Sequence, residues 1–139
     1  MSWSNYGRSG YGFEVQAADF GRVMEFVKKY LPDDWNEYFK DMEDMDDIVE
    51  VCREDNRFGY ESDASGILAW VISRETKQNV EFCADDTYPS WVMLIPSFPW
   101  EDTCSPMNML VFEKMAGELA MEFYGKPVLF DYHTTECWG

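Results

Sequence analysis

The sequence predicts an α+β fold: a single-domain, two-layer sandwich in which an antiparallel sheet of about five strands packs against three helices. In some segments apolar and polar residues alternate, as in half-buried strands, and in others apolar residues recur every three or four positions, as in helices. Three of the predicted strands follow one another through short connections, which favours antiparallel pairing with the helices on one face. The length of 139 residues is that of one domain.

The chain is predicted to begin with a strand and a helix. We expect residues 1–10 to be a loose lead-in, because they are polar and contain glycine. Residues 11–16 then alternate between large apolar side chains and polar side chains or glycine, which predicts a strand. Residues 20–31 have helical spacing, with Asp19 as the N-cap and Pro32 as the stop signal.

A second helix is predicted from residue 33 or 34 to about Asn56. Its apolar stripe consists of Trp35, Tyr38, Phe39, Met42, Met45, Val49 and Cys52. We expect this stripe to be a core face and not a cofactor site, because packing alone requires 3.6-residue periodicity.

Three strands are predicted in the middle of the chain. Residues 67–72, with the sequence ILAWVI, form a continuous apolar run that predicts a central strand. Residues 80–83 predict its hairpin partner, since the connection over residues 74–79 is short. Residues 91–95 predict a further strand that ends before Pro96.

The last predicted elements are a helix and a strand. Ser105 is the predicted N-cap, with Pro106 at the first helical position, where its missing N–H costs nothing. Gly125 is the predicted end of the helix, and residues 128–132 predict the final strand. The residues expected to face inward from this helix are Leu110, Phe112, Met115, Ala116, Leu119 and Phe123.

The charge of the chain bears on its partners. Twenty-seven acids against eleven bases give a net charge of −16. Because such a chain repels phosphate backbones and anionic lipids, we expect no direct nucleic-acid binding and no membrane binding, and a basic protein is the favoured partner. We expect a cytoplasmic protein, since the sequence shows no signal peptide, no long apolar run and no dense cysteine framework.

Acidic residues are concentrated between residues 33 and 55, where eleven acids stand beside two bases. On the predicted second helix, Glu37, Asp41, Asp44 and Asp47 lie away from the apolar stripe, and they are the predicted partner-binding residues. Carboxylates four residues apart on a helix are about 6 Å apart along its axis, so that such a row coarsely imitates a row of phosphates. The alternative is a solvated helix face with no partner.

A second predicted partner-binding element is the proline-containing loop with Phe98 and Trp100, followed by two acids. Large aromatic side chains in such loops have the composition of interface anchors. The alternative is that the aromatic side chains in and before this loop, Trp91 and Trp100 among them, only cap the sheet edge.

The sequence contains little that indicates chemistry. The single histidine, His133, stands four residues from Cys137, but neither these two residues nor Cys83 and Cys104 have the spacing of a structural zinc site. Asp131 is expected on the same strand face as His133, and the adjacent Asp85 and Asp86 are expected to be solvated. We therefore expect no catalytic residues, no metal and no cofactor. An enzyme or small-molecule binder would need a deep pocket around His133 or Cys83.

The C-terminal third resembles small, acidic, uncharacterised proteins of phages and conjugative elements of Gram-positive bacteria. The similarity spans residues 96–101 (PSFPWE), a single helix ending at Tyr124, residues 130–132 (FDY) and residues 136–139 (ECWG). Some proteins of that kind are anti-CRISPR or anti-restriction inhibitors that occupy the nucleic-acid or PAM-reading surface of a nuclease. The resemblance implies a stoichiometric anti-CRISPR inhibitor in the cytoplasm of a bacterial host. The alternative, from the charge alone, is an immunity protein that neutralises a basic bacterial toxin.

Overall fold

The structure, a computed structural model, describes residues 8–59, 61–95 and 106–136. The predicted anchors Phe98 and Trp100 and the predicted N-cap Ser105 lie outside the described residues, as do residues 1–7 of the predicted lead-in.

One antiparallel sheet of four strands is present in the described part of the chain, in the spatial order β2-β3-β1-β4. The strands are β1 (Ser9–Glu14), β2 (Val80–Cys83), β3 (Trp91–Leu94) and β4 (Phe130–Thr134). In the two central strands Phe13 of β1 stands opposite Val92 of β3, and on its other side it stands opposite Phe130 of β4. The predicted lead-in is too long, because Ser9 and Gly10 already pair with β4.

Five α-helices occur within the described ranges, where three were predicted. They are α1 (Phe20–Tyr30), α2 (Pro32–Asp34), α3 (Met45–Glu54), α4 (Ser65–Thr76) and α5 (Pro106–Tyr124). A π-helical turn (Trp35–Phe39) continues α2, and a 3₁₀ turn (Asn56–Phe58) follows α3. The α+β class is therefore confirmed, while the predicted numbers of strands and helices are not.

Helix α1 begins and ends where its local signals predict. The Asp19 carboxylate accepts a hydrogen bond from the backbone N–H of Arg22, 3.1 Å away, and so caps the first turn. At the other end the N–H of Leu31 still bonds to the carbonyl of Val27, and Pro32 starts the next turn.

The prediction of one continuous second helix is wrong. The chain leaves helical geometry after the π-helical turn, and Asp44 is extended (φ −148°, ψ 174°) before α3 begins. The break changes which residues face the core: Tyr38, predicted to be buried, is 49% exposed, whereas Ile48, absent from the predicted stripe, is fully buried. Phe39 and Cys52 are buried as predicted.

The predicted central strand over residues 67–72 is instead the middle of helix α4. This helix packs against β2, β3 and α5, so that apolar residues are required on nearly all of its faces and the 3.6-residue period disappears from the sequence. The predicted hairpin connection is the last helical turn and its exit through Lys77, which has left-handed geometry at φ 57°. The first turn of α4 needs glycine, since a Cβ on Gly66 would lie 2.2 Å from the carbonyl oxygen of Phe58.

Helix α5 confirms the predicted start at Pro106 and the predicted stop at Gly125. Gly125 has φ 77°, and its N–H donates to the carbonyl of Met121, as expected for a glycine that ends a helix. Leu110 does not face inward as predicted, because it is 63% exposed, whereas Phe112 and Phe123 are fully buried. The final strand begins at Phe130, two residues later than predicted.

The two faces of the sheet have different neighbours. Phe13 and Val92 belong to the main core with the helices, whereas Cys83, Met93 and Ile95 form a smaller buried cluster with Trp91. The connection from β2 to β3, residues 84–90, reaches β4 at the far edge of the sheet. There the backbone N–H of Asp86 donates to the carbonyl of Glu136 at 2.7 Å.

Candidate functional site

The eleven carboxylates between residues 33 and 55 divide into two groups. Four of them hold local structure through hydrogen bonds or ion pairs: Asp34, Asp44, Asp47 and Asp55. The other seven, called the acidic surface below, are Asp33, Glu37, Asp41, Glu43, Asp46, Glu50 and Glu54. All seven are exposed, and none forms an ion pair with another described residue.

Asp44 and Asp47 act together at the start of α3. The Asp44 carboxylate accepts from the N–H of Asp47 at 3.1 Å, and the Asp47 carboxylate accepts from the N–H of Glu43 at 3.0 Å. The first bond satisfies a donor that the first helical turn leaves unpaired, and the second holds the chain just before the helix. Two of the four predicted partner-binding acids therefore also stabilise the start of α3.

Replacing Asp44 with alanine should lower the free energy of unfolding by about 1 kcal/mol, because the cap of α3 is lost. Glu50→Ala on the same helix is the matched control, and it should change stability by less than about 0.5 kcal/mol. Urea denaturation followed by circular dichroism measures both variants. Equal losses of unfolding free energy in the two variants would contradict the division of the acids into those that hold local structure and those of the acidic surface.

Arg57 neutralises the other two structural acids. Its guanidinium Nη2 lies 2.7 Å from Asp34 Oδ1 and 2.7 Å from Asp55 Oδ2, and so connects the start of the acidic segment to its end. Hydrogen bonds from Arg57 hold the pKa of Asp55 below its ordinary value. The guanidinium also lies over the rings of Phe58 and Trp70, at 5.0 and 6.0 Å from their centroids.

Part of the acidic surface is a regular row on α3. Asp46, Glu50 and Glu54 follow one another at four-residue intervals on the exposed side, while Ile48 and Cys52 are buried on the other side. Successive carboxylates in such a row are about 6 Å apart along the helix axis. Sequence reasoning missed this row because it placed all acids on one long helix. The acidic pair Asp44 and Asp47, three residues apart, is the signal that locates the true helix start.

The remaining predicted acids lie before α3. Glu37 is in the π-helical turn and Asp41 is just after it, so that they do not continue the row. Beside Glu37 stands Tyr38, whose phenol is hydrogen-bonded to the Glu37 carboxylate, and this bond raises the pKa of Tyr38. Tyr38 is thus an exposed aromatic side chain within the acidic surface, and it was missed because helical spacing predicted it to be buried.

A second polar cluster joins the connection 84–90 to β4. The side chain of Asp85 is fully buried, which contradicts its predicted solvation. Its Oδ1 accepts from the N–H groups of Thr87 at 2.9 Å and Tyr88 at 2.8 Å, and its Oδ2 lies 3.4 Å from His133 Nε2. Burial opposes ionisation of Asp85, but the hydrogen bonds from Tyr88 and Thr87 outweigh it and hold the pKa below its ordinary value.

The neighbours of His133 are those of a structural side chain. Its ring stacks on Trp91 with centroids 4.2 Å apart and planes 8° apart. Asp131, considered above as a neighbour of His133, instead accepts from the backbone N–H of Tyr132 at 2.8 Å. Burial raises the pKa of Cys83 to about 12, so that this thiol is protonated and weakly nucleophilic at neutral pH.

An open cleft of about 390 Å³ lies beside β2, between this edge strand and the 3₁₀ turn. Its walls include Phe58, Trp70, Phe82 and Cys83. Two cations among the described residues line the cleft. Arg57 is already bound to two carboxylates, and Arg8 lies 3.8 Å from the carboxylate of Glu81. The cleft therefore offers an apolar wall near Cys83 but no uncommitted guanidinium from Arg57 to hold an anion.

No protein-family model, curated protein or solved structure matches this chain. Among the residues that the structure describes, no three histidine, cysteine or acidic side chains are grouped so that they could hold a metal ion. In the same ranges, no helix is both long and apolar enough to span a membrane.

Proposed function

We propose that this protein is a stoichiometric inhibitor that binds a basic, nucleic-acid-binding protein, and that its target is an RNA-guided nuclease. The observation that carries the proposal is the acidic surface: seven exposed carboxylates between residues 33 and 54, none in an ion pair with another described residue. The resemblance of the C-terminal third to proteins of phages and conjugative elements favours an anti-CRISPR role.

The row on α3 has a spacing that suits a site made for nucleic acid. Carboxylates about 6 Å apart along an axis correspond to roughly every second phosphate of a DNA strand, which has one charge per 3.4 Å. RNA-guided nucleases hold their nucleic acids in positively charged channels and read the PAM with arginine side chains. Asp46, Glu50 and Glu54 would face such basic side chains in place of phosphates.

Solubility alone does not require this arrangement. Like charges four residues apart destabilise a helix by about 0.2–0.5 kcal/mol per pair, and the row contains two such pairs. A surface of mixed charges would keep the protein soluble without this cost. Binding to a basic partner removes the repulsion, because each carboxylate gains an opposite charge.

Short-range affinity would come from Tyr38. Long-range attraction mainly accelerates association, whereas buried aromatic side chains at the centre of an interface slow dissociation. Tyr38 is about half-exposed beside Glu37, so that it can be buried against a partner that the acids attract. Phe98 and Trp100, predicted for the same role, lie outside the described residues and stay predictions.

The test is inhibition of DNA cleavage by a panel of purified RNA-guided nucleases, with association kinetics measured at several salt concentrations. The variant reverses the row: Asp46→Lys, Glu50→Lys and Glu54→Lys. Its association rate constant should fall at least about tenfold at low salt, and the salt dependence should flatten. Stability should hardly change, since three lysines repel one another as three carboxylates do.

The matched control reverses three exposed acids outside the acidic surface: Glu14→Lys, Glu25→Lys and Glu61→Lys. It has the same net charge, so that a general charge effect would slow both variants equally. Equal slowing would show that α3 is not the contact. Absence of inhibition throughout the nuclease panel, together with inhibition of a basic toxin, would replace the proposed target by that of an immunity protein.

A further inference from the structure

The outward face of α5 carries apolar side chains that no other element covers within the described ranges. Met107 is 70% exposed, Met121 47% and Val111 40%, although the opposite side of the same helix is buried in the core. Lys114 and Glu118 lie between them on the same face, are exposed, and form no ion pair with described residues. This face therefore combines apolar ends with one positive and one negative charge at its centre.

The spacing of these residues is that of a helix–helix seam. Met107, Val111, Lys114, Glu118 and Met121 are separated by four, three, four and three positions. Steps of this kind average 3.5 residues, the repeat by which one helix packs along another. The helix is 19 residues long, enough for several successive layers of contact.

We propose that this face of α5 binds the same face of a second copy of the chain, with the two helices antiparallel and related by a twofold axis near Ala116. In this register Lys114 of one copy stands opposite Glu118 of the other, and the symmetry axis generates the same pair again. Val111 stands opposite Met121, also twice. Met107 stands opposite Gly125, beside which the flexible side chain of Arg22 lies.

The charges favour a second copy over the basic partner of the acidic surface. One lysine and one glutamate make this face neutral and self-complementary, so that it has no attraction for a strongly basic surface. The acids of the chain are concentrated in the 33–55 segment, and the seam itself adds no net repulsion between copies. The dimer is independent of the proposed inhibitory function.

A single helix pair lies at the small end of specific interfaces, and we expect a dimer that dissociates on dilution. Each copy carries a net charge of −16, so that added salt should strengthen dimerisation by screening the long-range repulsion.

The test is sedimentation velocity over a range of concentrations, with charge-exchange variants at two exposed positions that leave the core unchanged. Lys114→Glu alone and Glu118→Lys alone should each weaken self-association at least about tenfold, because two attractive pairs become repulsive. The double exchange Lys114→Glu with Glu118→Lys should restore it. Mixing the two single variants should produce a heterodimer.

A chain that stays monomeric at all concentrations and salt conditions would overturn the proposal. Two other results would also overturn it: a dimer that both single variants still form, and a dimer that the double exchange does not restore. In either case the interface would lie elsewhere. Circular dichroism of the variants checks that α5 is intact, and inhibition of nucleases is not needed for any of these readings.

Discussion

Replacing Phe123 with alanine is expected to lower the free energy of unfolding by about 3–5 kcal/mol, a large part of the stability of a domain of this size. Phe123 is fully buried, and its ring meets that of Phe26 edge to face at 5.0 Å, where α5 packs on α1. Truncation removes this contact and leaves a cavity that the surrounding helices and sheet cannot close.

Leu110→Ala on the same helix is the matched control for Phe123→Ala. Sequence periodicity predicts both residues to face inward, but Leu110 is largely exposed, so its truncation should change stability by less than about 0.5 kcal/mol. Urea denaturation at low protein concentration measures both. A loss of 2 kcal/mol or more for Leu110→Ala would contradict the orientation of α5.

Asp85→Ala should destabilise the protein by about 2–4 kcal/mol. The substitution leaves the N–H groups of Thr87 and Tyr88 without their acceptor and removes the carboxylate beside His133. Asp85→Asn keeps an acceptor oxygen for the two N–H groups, and it should therefore lose less. Equal losses of stability in the two variants would show that the hydrogen bonds from the two N–H groups contribute nothing beyond the effect of the carboxylate charge.

The same site predicts a dependence on pH. The folded state holds the pKa of Asp85 below its ordinary value, so its contribution is present above the unfolded pKa of about 3.9. That contribution is lost as the pH falls through the folded pKa. The stability difference between the wild type and Asp85→Asn should thus shrink between pH 7 and the acid range. A difference that stays constant would contradict the assignment.

Helix boundaries with local signals could be predicted from the sequence. Asp19 caps α1, Pro106 starts α5 and Gly125 ends it, because each acts through groups within a few residues. The strands at residues 80–83 and 91–94 were found in the same way, from short apolar runs between turn residues.

The candidate site was only partly predictable. Composition indicates an acidic segment, but the segment was wrongly predicted to be a single long helix. For that reason the row Asp46, Glu50 and Glu54 was not recognised. Asp44 and Asp47, predicted to bind a partner, also form hydrogen bonds at the start of α3, a structural role that the sequence analysis did not predict. The hydrogen bonds that Asp85 accepts from Thr87 and Tyr88 are local, and only its contact with His133, 48 positions away, depends on the fold.

The sequence by itself determined the α+β class, the concentration of negative charge between residues 33 and 55, and the helix ends that caps and prolines set. Only the tertiary structure decided that residues 65–76 are a helix, because burial on nearly every side removes the periodicity that would identify it. The tertiary structure also decided which carboxylates hold local structure and which belong to the acidic surface. Asp34 is neutralised by an arginine 23 residues away, a contact that exists only after the chain has folded.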